Sequence, residues 1–196
     1  MKPPKAGRKL PGADNRIVLA EQDHYLARDI QRLSGTNLNR CYHCRACGGG
    51  CPFIRGMDYP PNGVIRLVQY GLRRLAPESH TIWICVGCHT CSVQCPMGID
   101  IAAVMATLRR LALEEGSMIA ETNILDFHRE VLQSIKLYGR AHKLGITLRY
   151  KARVHQWFAD LDVGLRMLAK RKMDLKASRV KAIGEITRLF IPHWKR

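Results

Sequence analysis

The residues with the clearest chemical potential are eight cysteines, all of which lie between positions 41 and 95. They form two runs of the same spacing, C-x-x-C-x-x-C-x-x-x-C-P, with corresponding cysteines 44 positions apart. The first run comprises Cys41, Cys44, Cys47 and Cys51, and the second comprises Cys85, Cys88, Cys91 and Cys95. Three thiolates at this spacing let a short loop wrap one four-iron, four-sulfur cube, while the cysteine before proline leads the chain away. The spacing therefore predicts two [4Fe–4S] clusters.

The fourth cysteine of each run decides how the thiols are shared between the clusters. In two-cluster ferredoxins the cysteine that precedes proline binds the other cluster. This rule predicts one cluster bound by Cys41, Cys44, Cys47 and Cys95, and a second bound by Cys85, Cys88, Cys91 and Cys51. All eight thiols are then used by the clusters. No free nucleophilic cysteine remains, so the sequence predicts no catalytic residue and no other cofactor site.

Zinc and disulfides are the alternative uses of these cysteines. Structural zinc usually takes its ligands as two separated pairs, which a third cysteine at the next interval fits poorly. Disulfides would leave the doubled spacing unexplained. His43 and His89 also lie between cysteines. Because each run already supplies enough thiols, we expect these imidazoles to face solvent or neighbouring polar groups. Arg45 either offsets cluster charge or is simply exposed.

The elements that must position the cysteines are predicted to be helical. Apolar residues recur at helical spacing within 23–35, which ends in a glycine, and within 60–72. Asp100 is predicted to cap a helix that ends at Gly116, and Asn123 to cap the next helix. Further helices are predicted from the apolar residues Leu161, Leu165, Leu168, Val180, Ile183, Ile186 and Leu189.

We therefore predict an all-α fold built around a helical ferredoxin-like domain. Its predicted parts are a basic arm over 1–19, the two-cluster domain over 20–118 and a basic helical extension over 119–196. Helix-length segments separate and follow the cysteine runs, whereas small two-cluster ferredoxins usually surround their clusters with short strands.

The charge of the chain is strongly basic. The 196 residues carry a net charge of +16, and residues 136–196 hold sixteen Lys and Arg against four acidic residues. Such an excess is typical of proteins that meet nucleic acid, an acidic membrane surface or an acidic partner. The aromatic residues of this region are too few for a base-stacking platform, so we expect no nucleic-acid partner. They are Trp157, Phe158, Phe190 and Trp194.

The start of the sequence carries basic residues without a following apolar run, and no stretch reaches the length of a membrane span. A cytoplasmic protein without a transmembrane segment is predicted. Peripheral contact between the basic extension and a membrane stays open.

The sequence resembles the C-type subunits of heterodisulfide reductase. The resemblance rests on the doubled cysteine motif, the helical spacer, the C-P-M-G-I-D of the second run and the segment Leu137-Tyr138-Gly139-Arg140. It implies an electron-transfer protein that relays electrons through two [4Fe–4S] clusters. The implied partners are the flavin-containing A-type subunit, on one side, and the disulfide-reducing B-type subunit, on the other. The chain would then be part of an oxidoreductase complex without a substrate-converting site of its own.

Two other functions compete with this interpretation. The first keeps the relay but places it in a membrane-associated respiratory or sulfur-metabolism complex, with the basic extension against lipid or a membrane-bound partner. The second belongs to another class, a zinc-binding basic protein that binds nucleic acid, and its support is the net charge.

Overall fold

The computed structural model describes residues 22–154, 163, 166, 167, 169, 170 and 178–190. These residues form helices joined by turns, and their only β pairing is an isolated antiparallel bridge between Gln22 and Leu72. The all-α prediction is confirmed over this part of the chain. The predicted arm at 1–19 lies outside it. No helix in these ranges is both long and apolar enough to cross a bilayer.

The chain divides into two compact units, Met1–Glu121 and Thr122–Arg196. The domain limits proposed from the sequence, 20–118 and 119–196, stay predictions beside this division. The described helices of the first unit are α1 (Leu26–Ser34), α2 (Ala46–Gly49), α3 (Pro61–Gln69), α4 (Leu75–Glu78), α5 (His80–Ile84), α6 (Thr90–Val93) and α7 (Ile101–Glu114). Two 3-10 turns, Leu38–Arg40 and Ile54–Gly56, flank the first cysteine run.

Local signals explain where the longer helices begin and end. Gly35 ends α1 with a left-handed φ of 68°, and its N–H donates to the Gln31 carbonyl. Pro61 begins α3, where its fixed φ suits the first turn and its missing N–H costs nothing. Asp100 caps α7 by accepting a hydrogen bond from the Ala103 N–H at 3.1 Å. These three helices match the predicted ones.

The core of the first unit is centred on α7, which packs against α1, α4, α5 and α6. Val104, Leu108 and Ala112 recur every four residues on α7 and are fully buried. From α1, Leu26 and Ile30 are also fully buried. Each of the valine, leucine and isoleucine side chains among them contributes about 1.5–3 kcal/mol by leaving water. This core holds α7 and α5 as a rigid support for the cysteine loops.

Arg73 ties the start of the described chain to the end of α7. Its guanidinium forms ion pairs with Asp23 and Glu115. The Asp23 N–H donates to the Gly71 carbonyl at 2.8 Å. The Tyr25 N–H and the Arg73 guanidinium together hold the pKa of the Asp23 carboxyl below its usual value.

The second unit contains α8 (Thr122–Tyr138), α9 (Lys143–Val154) and α10 (Ile183–Leu189), and α8 packs against both others. A buried carboxylate links α8 to α9. Glu130, which is 5% exposed, pairs with Arg149 at 3.0 Å and with Arg153 at 2.9 Å. Unpaired, this carboxylate would be costly to bury, so the two arginines are needed to hold it.

Several details differ from the predictions. Asn123 does not cap α8, because the helix already begins at Thr122. Leu33, one of the apolar residues that recur at helical spacing within 23–35, is 41% exposed and does not belong to the core. Leu72 is buried, but it follows the end of α3 at Gln69. The helix predicted from Leu161, Leu165 and Leu168 lies outside the described residues.

Candidate metal centre

The two cysteine runs fold into two copies of one local shape. Helices α2 and α6 each begin two residues after the second cysteine of their run, and their first residues are 44 positions apart. The backbone is left-handed at His43, Arg45, Gly87 and His89, with φ of 60°, 66°, 67° and 59°. This conformation costs a non-glycine residue about 1–2 kcal/mol. Its recurrence at equivalent positions indicates that a site imposes it on the chain.

Two cavities lie against these loops. The first is lined by Cys41, Cys44, Cys47 and Cys95, and the second by Cys51, Cys85, Cys88 and Cys91. They enclose about 320 and 400 Å³ of empty space, part of it open to solvent. Each cavity thus collects three thiols from one run and the thiol before proline from the other. This grouping coincides with the one expected from the fourth-cysteine rule, while the role of the thiols as iron ligands stays a prediction.

Apolar side chains form most of the remaining walls. Ile65, Ile99 and Ile101 line the first cavity. Met57 and Met105 line the second. Such walls exclude water and lower the local dielectric, which makes every nearby charge and hydrogen bond more influential.

The thiols differ in exposure in the same way in both cavities. The second cysteine of each run, Cys44 and Cys88, is exposed, while the third is more buried. Burial raises the pKa of the Cys47 thiol, although the Asn62 and Gly48 N–H groups act in the opposite direction. Burial, with Cys85 nearby, raises the pKa of the Cys91 thiol to about 11. Metal coordination deprotonates such thiols outright, so they suit a metal better than a free thiolate role.

Hydrogen bonds favour the thiolate of Cys88. The hydroxyl and the backbone N–H of Thr90 hydrogen-bond the Cys88 sulfur and lower the pKa of its thiol. The Cys88 sulfur and the Thr90 hydroxyl are 3.4 Å apart.

The hydrogen bonding of Asn62 shows whether the first cavity suits an iron–sulfur cluster. Its backbone N–H bonds the Cys47 sulfur, and its side chain lines the cavity. The Asn62 Oδ1 is buried and finds no hydrogen-bond partner among the described residues. A half-turn of this amide would present its NH₂ group instead, and cluster sulfurs accept such hydrogen bonds. The wall and the thiol set therefore fit a [4Fe–4S] cluster.

The two loop histidines reach polar groups close to the cysteines. The His43 Nε2 lies 3.0 Å from the Gln69 Oε1, and the Gln69 amide donates to the Leu38 carbonyl. The His89 Nδ1 lies 3.3 Å from the Asp100 Oδ1. Asp100 also accepts from the Ser92 hydroxyl at 2.8 Å, which joins α6 to the start of α7.

Arg109 is a residue near the second cavity that the sequence analysis missed. It lies on α7, and its Nη1 donates to the Cys85 carbonyl at 3.1 Å. The available signal was its position four residues after Met105, at the end of the apolar stripe that faces the cysteine loops. Gln69, Asn62 and Ser92 were also missed, because side-chain amides and hydroxyls carry no periodic signal.

In each cavity the four thiols surround an open volume and do not converge on the position of a single metal ion. All eight cysteines are free of disulfide bonds. Among the described residues, no three His, Cys, Asp or Glu side chains are placed to hold a single metal ion. A cube of four irons and four sulfurs is bound at its corners, so its ligands are spaced more widely than those of one ion.

Comparison with known proteins identifies the region that contains the cavities. The family profile of the 4Fe-4S dicluster domain matches residues 37–99. Residues 37–99 are therefore similar to 4Fe-4S dicluster domains. The domain and its eight cysteines fit two [4Fe–4S] clusters and favour them over the zinc alternative.

The curated relatives are C-type subunits of heterodisulfide reductases. The C-type chain of the ferredoxin/F420H2-dependent CoB–CoM heterodisulfide reductase of Methanosarcina acetivorans is 34% identical over 112 residues, which cover 57% of this chain and 65% of the relative. The iron–sulfur C2 chain of the CoB–CoM heterodisulfide reductase of Methanocaldococcus jannaschii is 32% identical over 54% of this chain and 53% of the relative. The resemblance found in the motifs is confirmed. The chain spans between about half and just under two thirds of the length of these two relatives.

Proposed function

We propose that this chain is the iron–sulfur electron-transfer subunit of a heterodisulfide-reductase-type complex. The observation that carries the proposal is the pair of four-thiol cavities within one 4Fe-4S dicluster domain. Contact between α2 and α6 joins the two cysteine loops within this unit.

The residues of the chain hold and shield the two groups. Cys41, Cys44, Cys47 and Cys95 hold one cluster, and Cys51, Cys85, Cys88 and Cys91 hold the other. When bound, the clusters supply one-electron transfer. The isoleucines of the first cavity and the methionines of the second limit the access of water to the more buried thiols. Exposed Cys44 and Cys88 bring one edge of each cavity to the protein surface, where a redox partner can approach.

The partners follow from the relatives and from charge. The relatives are named as C-type subunits, so we propose that in the cytoplasm the chain assembles with a flavin-containing A-type subunit, as one partner, and a disulfide-reducing B-type subunit, as the other. The chain uses all its thiols as ligands and therefore transfers electrons between partners without converting a substrate itself. The second unit offers exposed Lys136, Lys143 and Lys181 for docking an acidic surface.

Anaerobic purification of the complex tests the proposal. We expect about eight irons and about eight acid-labile sulfides per chain, because each of two clusters contains four of each. A flavoprotein and a cysteine-rich partner protein should co-purify with the chain. A colourless protein with zinc and no sulfide would contradict the proposed function.

The exposed lysines of the second unit also support a membrane-associated relay as the second candidate. Anionic lipid headgroups attract such residues with about 1 kcal/mol per basic side chain. Flotation of the purified complex with phosphatidylserine vesicles distinguishes the candidates. Binding that is lost on raising salt would favour the membrane-associated complex, and no binding at low salt would favour the soluble one.

A further inference from the structure

Arg109 lies one helical turn beyond the side chains with which α7 lines the second cavity. Ala102 and Met105 belong to that lining, and Arg109 follows Met105 by four positions on the same face. The Arg109 Nη1 donates a hydrogen bond to the carbonyl of Cys85 at 3.1 Å. The guanidinium is thus fixed to the backbone of a residue whose thiol lines the cavity.

The charge of Arg109 is not offset by an ion pair within the described ranges. Its neighbour Arg110 pairs with Glu114 at 2.7 Å, and Arg73 pairs with two carboxylates. The polar contact of Arg109 is instead the neutral Cys85 carbonyl, in a partly buried position. Solvent and salt screen a partly buried charge less than an exposed one.

We propose that Arg109 raises the reduction potential of the cluster bound by Cys51, Cys85, Cys88 and Cys91. This inference rests on the iron ligands of the proposed function. Reduction adds one electron, donated by a redox partner, to the oxidised cluster, so the negative charge of the cluster and its thiolates grows by one. A fixed positive charge beside Cys85 stabilises the reduced form more than the oxidised form, which raises the potential.

The first cavity also has an arginine beside it, but the electrostatic effect of this arginine is weaker. Arg45 lines it, but this side chain is exposed at the rim of the loop. Because its charge is more screened, we expect a smaller contribution to the potential there. Because the effect of Arg109 exceeds that of Arg45, the difference between them favours residence of an electron at the second cavity.

A purely structural role for Arg109 makes a different prediction. Cys85 directly follows α5, and a basic side chain on the last carbonyls of a helix stabilises that helix. Removal of Arg109 would then lower stability and leave both potentials unchanged. The measured potential, and not the stability, therefore separates the two roles.

Redox titration of the anaerobically purified complex, followed by electron paramagnetic resonance, tests the inference. Loss of a signal in Cys44→Ser or Cys88→Ser variants assigns the signals to the first and second cavity. In Arg109→Gln the potential of the second-cavity signal should fall while that of the first-cavity signal stays. Arg109→Lys should show a smaller fall. The matched control is Arg110→Gln, a neighbouring arginine already paired with Glu114, which should move neither potential.

The possible outcomes distinguish failure of the inference about Arg109 from failure of the proposed function. Unchanged potentials in an Arg109→Gln complex that retains its iron would overturn the inference alone. If that variant loses iron, Arg109→Met is measured, since its unbranched stem preserves packing without charge. Loss of iron in both variants would also overturn the inference, because Arg109 would then serve the fold. A wild-type complex without iron and sulfide would contradict the proposed function itself.

Discussion

Cys95 follows three cysteines of its own run in the sequence but lines the cavity of the other run. The same holds for Cys51 and the second cavity. Proline after each of these cysteines directs the chain away from its own loop. With the proposed ligand set, each of these two cysteines binds the cluster of the other run and so links the halves of the domain through the clusters as well as through packing.

A Cys95→Ser variant should lose the cluster of the first cavity. In electron paramagnetic resonance spectra, the signal that disappears should be the one lost in Cys44→Ser. The matched variant Cys51→Ser should remove the signal that is lost in Cys88→Ser. Loss of the Cys88-dependent signal in Cys95→Ser would refute the crossed assignment.

A comparison of Gly71 with Gly116 distinguishes the cost of backbone strain from the cost of a steric clash when alanine replaces glycine. Both have left-handed backbone, with φ of 69° and 66°. A Cβ at position 71 would lie 2.4 Å from the Asp23 carbonyl oxygen, whereas one at position 116 would meet nothing within 4 Å. Gly116→Ala should cost about 1–2 kcal/mol of unfolding free energy, and Gly71→Ala clearly more. Thermal denaturation of the anaerobic protein measures both, and equal losses would contradict the contact argument.

The helices illustrate which elements a sequence can predict. Periodic apolar residues with clear end signals predicted α1, α3 and α7, because burial and capping act locally on nine or more residues. Helices α2 and α6 contain four residues each, too few for periodicity, and are set by the cysteine loops. The cysteines themselves were predictable from spacing. Their neighbours Asn62 and Arg109 were not, since only the folded chain brings them to the cavities.

Asp100 should contribute measurably to the stability of α7 and of its link to α6. Burial opposes ionisation, but hydrogen bonds from the Ala103 N–H and the Ser92 hydroxyl outweigh it and lower the pKa of Asp100. Asp100→Ala should cost about 1 kcal/mol of unfolding free energy. Because the folded pKa is lowered, this contribution is present above the ordinary value of 3.8 and is lost as pH falls through the lower folded value.

Thermal denaturation at several pH values checks this prediction. The difference between the wild-type chain and Asp100→Ala should be constant near neutral pH and shrink in acid. Asp29→Ala is the control, since Asp29 reaches Arg32 only at 4.0 Å on the surface of α1. That variant should change stability by less than about 0.5 kcal/mol. An equal loss in both variants would contradict the capping role.

Glu130 is expected to be the critical residue between α8 and α9. Glu130→Gln leaves Arg149 and Arg153 beside a neutral group and should cost about 3–5 kcal/mol. Asp126→Asn removes a carboxylate that pairs at 3.5 Å and should cost below about 1 kcal/mol. Chemical denaturation monitored by circular dichroism measures both losses. A cost for Glu130→Gln no larger than for Asp126→Asn would show that the buried pair is dispensable.

At the scale of the whole molecule, charge is distributed unevenly along the chain. Residues 22–121 contain ten arginines, no lysine and eight acidic residues, whereas residues 136–196 contain sixteen Lys and Arg and four acidic residues. Lys136, Lys143 and Lys181 are exposed in the second unit. Long-range attraction of an acidic partner therefore depends on the second unit more than on the domain that holds the cavities. The proposed function thus places partner binding and electron transfer in different parts of the chain.

Replacing Lys136, Lys143 and Lys181 by Glu should weaken association with the partner proteins by on the order of tenfold or more at physiological salt. Iron content should stay unchanged, because these residues lie far along the chain from the cysteines. Co-purification over a series of salt concentrations measures the effect. Arg32→Glu, at a 74% exposed side chain of the first unit, is the control. Undiminished co-purification of the triple variant would contradict docking by the second unit.

Each cysteine run contributes its fourth cysteine to the cavity of the other run, and this limits how such a domain can be divided. A cut anywhere between Cys51 and Cys85 leaves each fragment with four cysteines, yet neither fragment carries a complete lining for either cavity. Fragments of this kind would have to reassociate before either could be loaded with inorganic sulfide. With the proposed ligand set, a single half of the motif is not a functional module, because each cluster needs thiols from both halves.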